Sequence, residues 1–131
     1  MKSLLLSLVF AMSSQVFAGQ IELGKYKAVD VDSKTIHASL VLRANGTVNF
    51  KVKTPDFTMP EPGCEGKYTV KGNELEANMT CPTALLPEAN VRIDITNVNP
   101  QSVRSEKGAE VNVVIDALGD EAIKFLLKKA D

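Results

Sequence analysis

The chain has 131 residues, with 15 basic and 16 acidic side chains and a formal net charge of −1 at pH 7. This balance argues against a nucleic-acid partner, which would call for a strong basic excess. Two cysteines and one histidine provide neither the ligand set of a metal centre nor a second histidine to activate a nucleophile. We therefore expect a non-enzymatic protein without a cofactor or bound metal.

The first 18 residues have the three parts of a secretory signal peptide. Lys2 supplies the positive start, an apolar core runs from Leu4 to Met12, and Ala18 ends a cleavage site of small residues. This core is too short to span a bilayer, which takes about 20 apolar residues. We expect an exported bacterial protein, periplasmic or secreted, in which residues 19–131 form a single domain.

The stretch from Cys64 to Cys81 predicts a β-hairpin around the turn Gly72-Asn73, where glycine supplies the positive φ that a two-residue turn needs. If two strands flank this turn, apolar residues face apolar residues throughout: Val70 and Leu75, Tyr68 and Ala77, Gly66 and Met79. The same register sets the two cysteines opposite each other at a non-hydrogen-bonded pair, within reach of a disulfide. We expect one structural disulfide, Cys64–Cys81, as in other exported chains with two cysteines.

Strands are also predicted before this hairpin. Residues 21–29 form the first strand, and alternating apolar residues mark two more at 36–43 and 48–53. A two-residue Asn-Gly turn between the latter two would set apolar against polar residues. A three-residue turn, Ala44-Asn45-Gly46, with glycine in the left-handed region instead aligns Leu42 with Val48, Leu40 with Phe50 and Ala38 with Val52.

After the hairpin the pattern predicts a loop at 82–90, in which Leu85 and Leu86 lie between two prolines, and a strand over Val91, Ile93 and Ile95. A polar stretch at 97–108 is predicted to hold a short extended piece at Ser102-Val103-Arg104. Another strand is expected over 110–116, where Val111, Val113 and Ile115 share a face.

The last stretch, 120–129, fits two structures. As a helix, it has acids at its start and lysines at its end, as the helix dipole favours. As a strand, Ile123, Phe125 and Leu127 share one face and Leu126 points away. A strand would close a barrel against the first strand, whereas a helix would cover one end or side.

Short strands joined by tight turns, without the spacing of βαβ units, indicate an all-β fold. Because each neighbouring pair keeps a single apolar face, we predict an antiparallel meander that closes into a small barrel of about eight strands. The barrel either includes the last stretch as a strand or carries it as a short C-terminal helix.

Two segments resemble known barrels. Gly24-Lys25-Tyr26 is similar to the Gly-x-aromatic start of lipocalins and other calycins, with tyrosine in place of the typical tryptophan. The segment from Leu40 to Phe50 resembles the hairpin of small lipocalin-like envelope barrels. The resemblance implies a small secreted β-barrel that binds a ligand.

An up-and-down order of strands brings the loops 30–34, 54–63, 82–90 and 117–121 to one end of the barrel. Two of these loops contain prolines and large apolar residues, which we call the apolar rim: Phe57, Met59, Leu85 and Leu86. Carboxylates surround this set: Asp30, Asp32, Asp56, Glu61, Glu88, Asp116, Asp120 and Glu121. The single histidine, His37, alternates onto the outer face of its strand.

Two functions are compatible with the sequence. The first is a monomeric carrier or sensor that binds a small apolar ligand in or at the mouth of the barrel. The second is an envelope interaction module, such as an enzyme inhibitor, that presents the disulfide-stapled rim to a protein partner. If the rim residues pack inward, they only cap the barrel. Interior volume separates the two functions, because a barrel filled by its core residues leaves no room for a ligand.

Overall fold

Nine β-strands make one antiparallel sheet in the computed structural model, which describes residues 20–84 and 86–130. Their bounds are β1 (Gly24–Asp30), β2 (His37–Leu42), β3 (Thr47–Thr54), β4 (Phe57–Thr58), β5 (Cys64–Lys71), β6 (Glu74–Thr83), β7 (Leu86–Asp94), β8 (Ala109–Ile115) and β9 (Ile123–Lys129). The predicted signal peptide and Leu85 lie outside the described residues and remain sequence predictions.

The sheet closes into a barrel. Each strand of the ring pairs with its neighbours in sequence, apart from the short β4, and β9 returns to pair with β1. β4 is an extra two-residue strand that pairs only with the end of β3. The predicted all-β meander of eight strands is confirmed.

The central hairpin has the predicted register. Val70 pairs with Leu75, Tyr68 with Ala77 and Gly66 with Met79. Cys64 and Cys81 form a disulfide with their Cα atoms 4.1 Å apart. Gly66 is required by space, because a Cβ atom there would lie 1.9 Å from the backbone oxygen of Asn78.

The turn between β2 and β3 is also as predicted. Leu42 pairs with Val48 and Leu40 with Phe50. Gly46 has a φ of +81°, and its N–H donates to the carbonyl of Arg43 at 3.1 Å. The hydrophobic pattern therefore identified the three-residue turn correctly.

The C-terminal stretch is a strand, so the alternative of a short C-terminal helix is wrong. β9 pairs with β1 on one side and β8 on the other, with Phe125 and Leu127 buried inside the barrel. Its residues are good helix formers. Pairing with the edges of β1 and β8, however, satisfies its backbone hydrogen-bonding groups, and the barrel interior buries its apolar face. Tertiary pairing here outweighs local propensity.

Two other predictions are corrected. The predicted loop at 82–90 is mostly strand, because β6 continues to Thr83, past a register irregularity, and β7 begins at Leu86. The predicted extended piece Ser102–Arg104 is a 3-10 helix. Its Val103 is buried, which alternation along a strand does not predict.

The segment 95–108 closes one end of the barrel, which we call the closed end. Ile95, Val98 and Val103 are buried there. The N–H of Gln20 donates to the carbonyl of Val98 at 2.8 Å. Arg104 forms a 2.6 Å ion pair with Glu22. Gln20 and Glu22, just before β1, are therefore bound to the segment that closes this end.

The interior is filled by side chains behind the hairpin β5–β6. Leu75, Ala77 and Met79 are buried on β6, beside the disulfide. Tyr68 is half-buried and Val70 is 42% exposed, although the apolar pairing of the hairpin predicts that both face the core. Both lie beyond Lys67, where β5 no longer has a β3 partner to cover its side.

None of the helical segments in the described ranges is long and apolar enough to cross a membrane.

The alternation of β6 predicts unequal effects at neighbouring positions. Leu75→Ala should lower the free energy of unfolding by about 3–4 kcal/mol, because it removes a fully buried side chain from the packed half. Glu76→Ala, on the exposed face, should change it by less than about 0.5 kcal/mol. Urea unfolding of both variants measures the difference, and equal losses would contradict the strand geometry.

Candidate functional site

A cavity of about 330 Å³ lies inside the barrel. It is reached from the end opposite to the closed end, where β1 leads to β2, β3 to β4 and β8 to β9; we call this the open end. Its described lining is Tyr26, Ala28, Ile36, Ala38, Ser39, Leu40, Phe50, Val52, Thr54, Phe57, Ile93, Val111, Val113, Ile115, Ala117, Leu118, Ile123, Phe125 and Leu127. The interior is therefore hollow toward the open end and filled toward the hairpin β5–β6.

Small side chains create this space. Ala28 and Ala38 lie directly opposite each other on β1 and β2. Their other neighbours across the sheet are Leu127 and Val52. Two alanines side by side on the inner face leave a volume that larger aliphatic residues would fill. β5 and β6 contribute no residue to the described lining.

Phe57 and Leu118 flank the opening. Phe57 follows β3 and Leu118 follows β8, and these two strands are on opposite sides of the eight-stranded ring. Phe57 is half-buried and is held by its pairing with Thr54. Leu118 ends a 3-10 helix, and its side chain is 67% exposed. An apolar side chain this exposed, next to an apolar cavity, is positioned to contact an entering molecule.

Two members of the predicted apolar rim, Phe57 and Met59, have different surroundings in the structure. Phe57 lines the cavity, but Met59 is buried, with its Sδ 3.5 Å from Cys64 Sγ. Met59 thus packs beside the disulfide. Leu86 begins β7, and Leu85 is outside the described residues.

Sequence reasoning missed other lining residues of the opening: Ile36, Ala117, Leu118 and Ile123. The one local signal was an apolar residue, Leu118, in a turn where polar residues would suffice.

The last part of the proline loop, 61–63, folds back on the outer wall. Asn49, on the outer face of β3, donates to the carbonyl of Pro62 at 2.7 Å and also to Glu65. Lys51 Nζ is 2.7 Å from Glu61. Gly63 lies so close to β3 that a Cβ atom would be 2.8 Å from the Phe50 carbonyl oxygen. Of this loop, Phe57 remains at the opening.

Asp30 organises the turn that brings Ile36 to the cavity. Its carboxylate accepts hydrogen bonds from the Ser33 hydroxyl and N–H, both at 2.7 Å, and from the Ile36 N–H at 2.9 Å. Burial by itself would raise the pKa of Asp30, but these bonds and one from the Lys34 N–H lower it to about 2. This carboxylate is therefore a structural part of the open end.

Other carboxylates of the predicted acidic surround remain exposed at the open end: Asp32, Asp56, Asp116, Asp120 and Glu121. Asp116 is 3.8 Å from Arg92. His37 is exposed on the outer face, as its alternation suggested. In the described ranges, no three His, Cys, Asp or Glu side chains are grouped so that they could hold a metal ion.

The chemistry of the cavity is that of an apolar surface. Its described lining includes no charged residue, and the polar groups are those of Ser39, Thr54 and Tyr26. The Tyr26 hydroxyl donates to the carbonyl of Glu22 at 2.7 Å. Such a lining offers dispersion contacts and removal of apolar surface from water.

The Asp30 hydrogen bonds predict a pH-dependent contribution to stability. Because folding lowers the pKa of Asp30 from 3.8 to about 2, its contribution is complete above about pH 4 and is lost as the pH falls toward 2. Asp30→Asn should therefore cost about 2 kcal/mol at pH 7 and much less near pH 2. Urea unfolding at both pH values tests this; a difference that stays constant with pH would contradict it. Asp32→Asn, at an exposed site, is the control.

Comparison with known proteins assigns no family. No family model matches the chain, and no curated protein or solved structure is significantly similar to it. What the structure shows is a closed antiparallel barrel of eight strands, the architecture that the resemblance to lipocalins implied. The functional argument rests on this barrel and its cavity.

Proposed function

We propose that this is a non-enzymatic, exported envelope protein that binds a small apolar ligand in the barrel cavity. The observation that carries the proposal is the cavity of about 330 Å³ with an almost wholly apolar lining. Ligand sites in proteins are typically concave, mostly apolar and about 300–1,000 Å³ in volume. The Thr54 hydroxyl, on the inner face of β3, would help to orient the ligand.

The volume limits the size of this ligand. An engineered apolar cavity of about 150 Å³ binds benzene, so this cavity suits a molecule of about a dozen non-hydrogen atoms. Micromolar affinity, about −8 kcal/mol, then needs about −0.7 kcal/mol per atom, which small ligands reach. The ligand class is therefore a compact aromatic or aliphatic molecule, not a long lipid chain.

The other parts of the proposal have separate support. The signal-like first 18 residues and the Cys64–Cys81 disulfide agree with export to an oxidising compartment. Ring closure leaves no long unpaired strand edge in the described barrel, which favours a monomer. The likeness to lipocalins supports a binding function by analogy of architecture.

One observation favours the second candidate, an envelope interaction module. Leu118 is 67% exposed beside the carboxylates of the open end, so it could anchor a partner protein with a basic surface. The Cys64–Cys81 disulfide joins β5 and β6 near this same end of the barrel, where Met59 packs against it. In this candidate the partner covers the opening, and no molecule needs to enter the cavity.

Filling the cavity separates the two candidates. Ala38→Phe places an aromatic ring in the hollow and should abolish binding of a neutral apolar dye such as N-phenylnaphthylamine, measured by its fluorescence. Its melting temperature should stay near that of the original protein, because the added ring occupies existing space. Ala44→Phe, at the exposed turn near the closed end, adds the same group and should bind dye normally.

Undiminished dye binding by folded Ala38→Phe would contradict a site in the cavity. If the original protein binds neither this dye nor smaller neutral aromatics, the binding proposal fails. Retained binding of an envelope partner by Ala38→Phe would favour the interaction module.

The opening itself can be tested with Phe57→Ser combined with Leu118→Ser. We expect dye affinity to fall about tenfold or more, because both side chains lie at the entrance. The melting temperature should change little, since Leu118 is largely exposed and Phe57 is only half-buried. Val70→Ser, at an exposed apolar residue near the closed end, is the matched control. Equal affinity in the double variant and the control would show that these residues do not contribute.

A further inference from the structure

Lysines are concentrated on one outer wall of the barrel, formed by β9, β1, β2 and β3. Their registers define three rows across this wall. The first row is Lys128, Lys27, Ser39 and Lys51, the second is Leu126, Val29, His37 and Lys53, and the third is Lys25, Val41 and Asn49. We call these three rows the lysine face.

No acidic residue occupies a position in these rows, although the whole chain has a net charge of −1. Lys51 is paired with Glu61, which reaches it from the proline loop. Lys25, Lys27, Lys53 and Lys128 are exposed, and none forms an ion pair within residues 20–84 and 86–130. Four uncompensated positive charges thus share one wall.

Two of these lysines lie where their charges destabilise the sheet. Lys27 and Lys128 are directly opposite on β1 and β9, where like charges destabilise a sheet. The wall of β5, β6 and β7 is different, because its rows mix signs: Lys71, Glu74 and Asp94 form one row, and Thr69, Glu76 and Arg92 the next. The absence of acids is therefore confined to β9, β1, β2 and β3, and Glu110 of β8 and Glu65 of β5 border the lysine face.

The remaining side chains of the face are three aliphatic residues and the polar Ser39, His37 and Asn49. Val29, Val41 and Leu126 are half-buried between the lysines. The rows contain no tryptophan, tyrosine or arginine, the residues that anchor specific protein interfaces, and lysine is depleted in such interfaces. Flexible ammonium groups around short apolar side chains suit the headgroup region of an anionic bilayer, where lysines extend toward the charges.

We propose that the lysine face docks the protein on an anionic lipid surface. The attraction is electrostatic and comes from Lys25, Lys27, Lys53 and Lys128, while Val29 and Leu126 lie against the headgroups. This interaction is independent of the cavity, since it uses outward side chains. Each lysine near an anionic surface strengthens binding about fivefold, so four together suffice for docking at low salt.

The test is cosedimentation with vesicles. Protein purified from the envelope extract of a producing bacterium should bind vesicles that contain phosphatidylglycerol, and not vesicles of phosphatidylcholine alone. Binding should weaken as salt is raised, since exposed charges are screened. Lys27→Gln combined with Lys128→Gln should bind about 25-fold more weakly.

Lys67→Gln combined with Lys71→Gln removes the same charge from exposed positions of β5 and is the matched control. This variant should bind vesicles like the original protein. An equal loss in the control would show an effect of net charge and overturn the assignment to the lysine face, as would equal binding to both kinds of vesicle. Absence of binding to phosphatidylglycerol vesicles at low salt would overturn the proposal. Dye binding by the Lys27→Gln, Lys128→Gln variant should be unchanged, so failure here leaves the cavity proposal standing.

Discussion

The pairing of β9 with β1 is the contact on which the barrel depends. It joins strands about a hundred residues apart and gives β1 two partners, so that the ring has no open side. The same contact turns the apolar faces of all eight strands toward a single interior. Without it, Tyr26, Ala28, Phe125 and Leu127 would lie on an open sheet, and the cavity would lose one wall.

The interior of the ring is uneven because residue size is distributed unevenly around it. On the hairpin side, Leu75, Met79 and the disulfide fill the space between the walls. On the opposite side, Ala28 and Ala38 are too small to do so. The disulfide therefore stabilises the packed half, and the hollow half is held by strand pairing together with the hydrogen bonds of Asp30.

Local sequence patterns predicted the parts of this fold that depend on neighbouring strands. Apolar alternation and turn glycines identified both hairpin registers and the cysteine pair. They did not determine whether 120–129 is a strand, because its residues suit a helix and only the edges of β1 and β8 decide. The site was harder to predict. Loop order identified the open end, but the placement of 61–63 on the outer wall depends on contacts of Pro62 with Asn49 and of Glu61 with Lys51, which turn residues do not predict. The size of a cavity depends on the volumes of side chains from all strands of the ring, which a local sequence pattern does not predict.

The wall that carries the lysines is also the wall behind which the cavity lies. A surface that attracts Lys27 and Lys128 would receive the barrel on its side, because these residues project at right angles to the barrel axis. The axis would then lie along the surface, and the entrance between Phe57 and Leu118 would face sideways. A molecule could enter or leave the cavity while the protein stays attached, because the attached side and the entrance are different parts of the barrel.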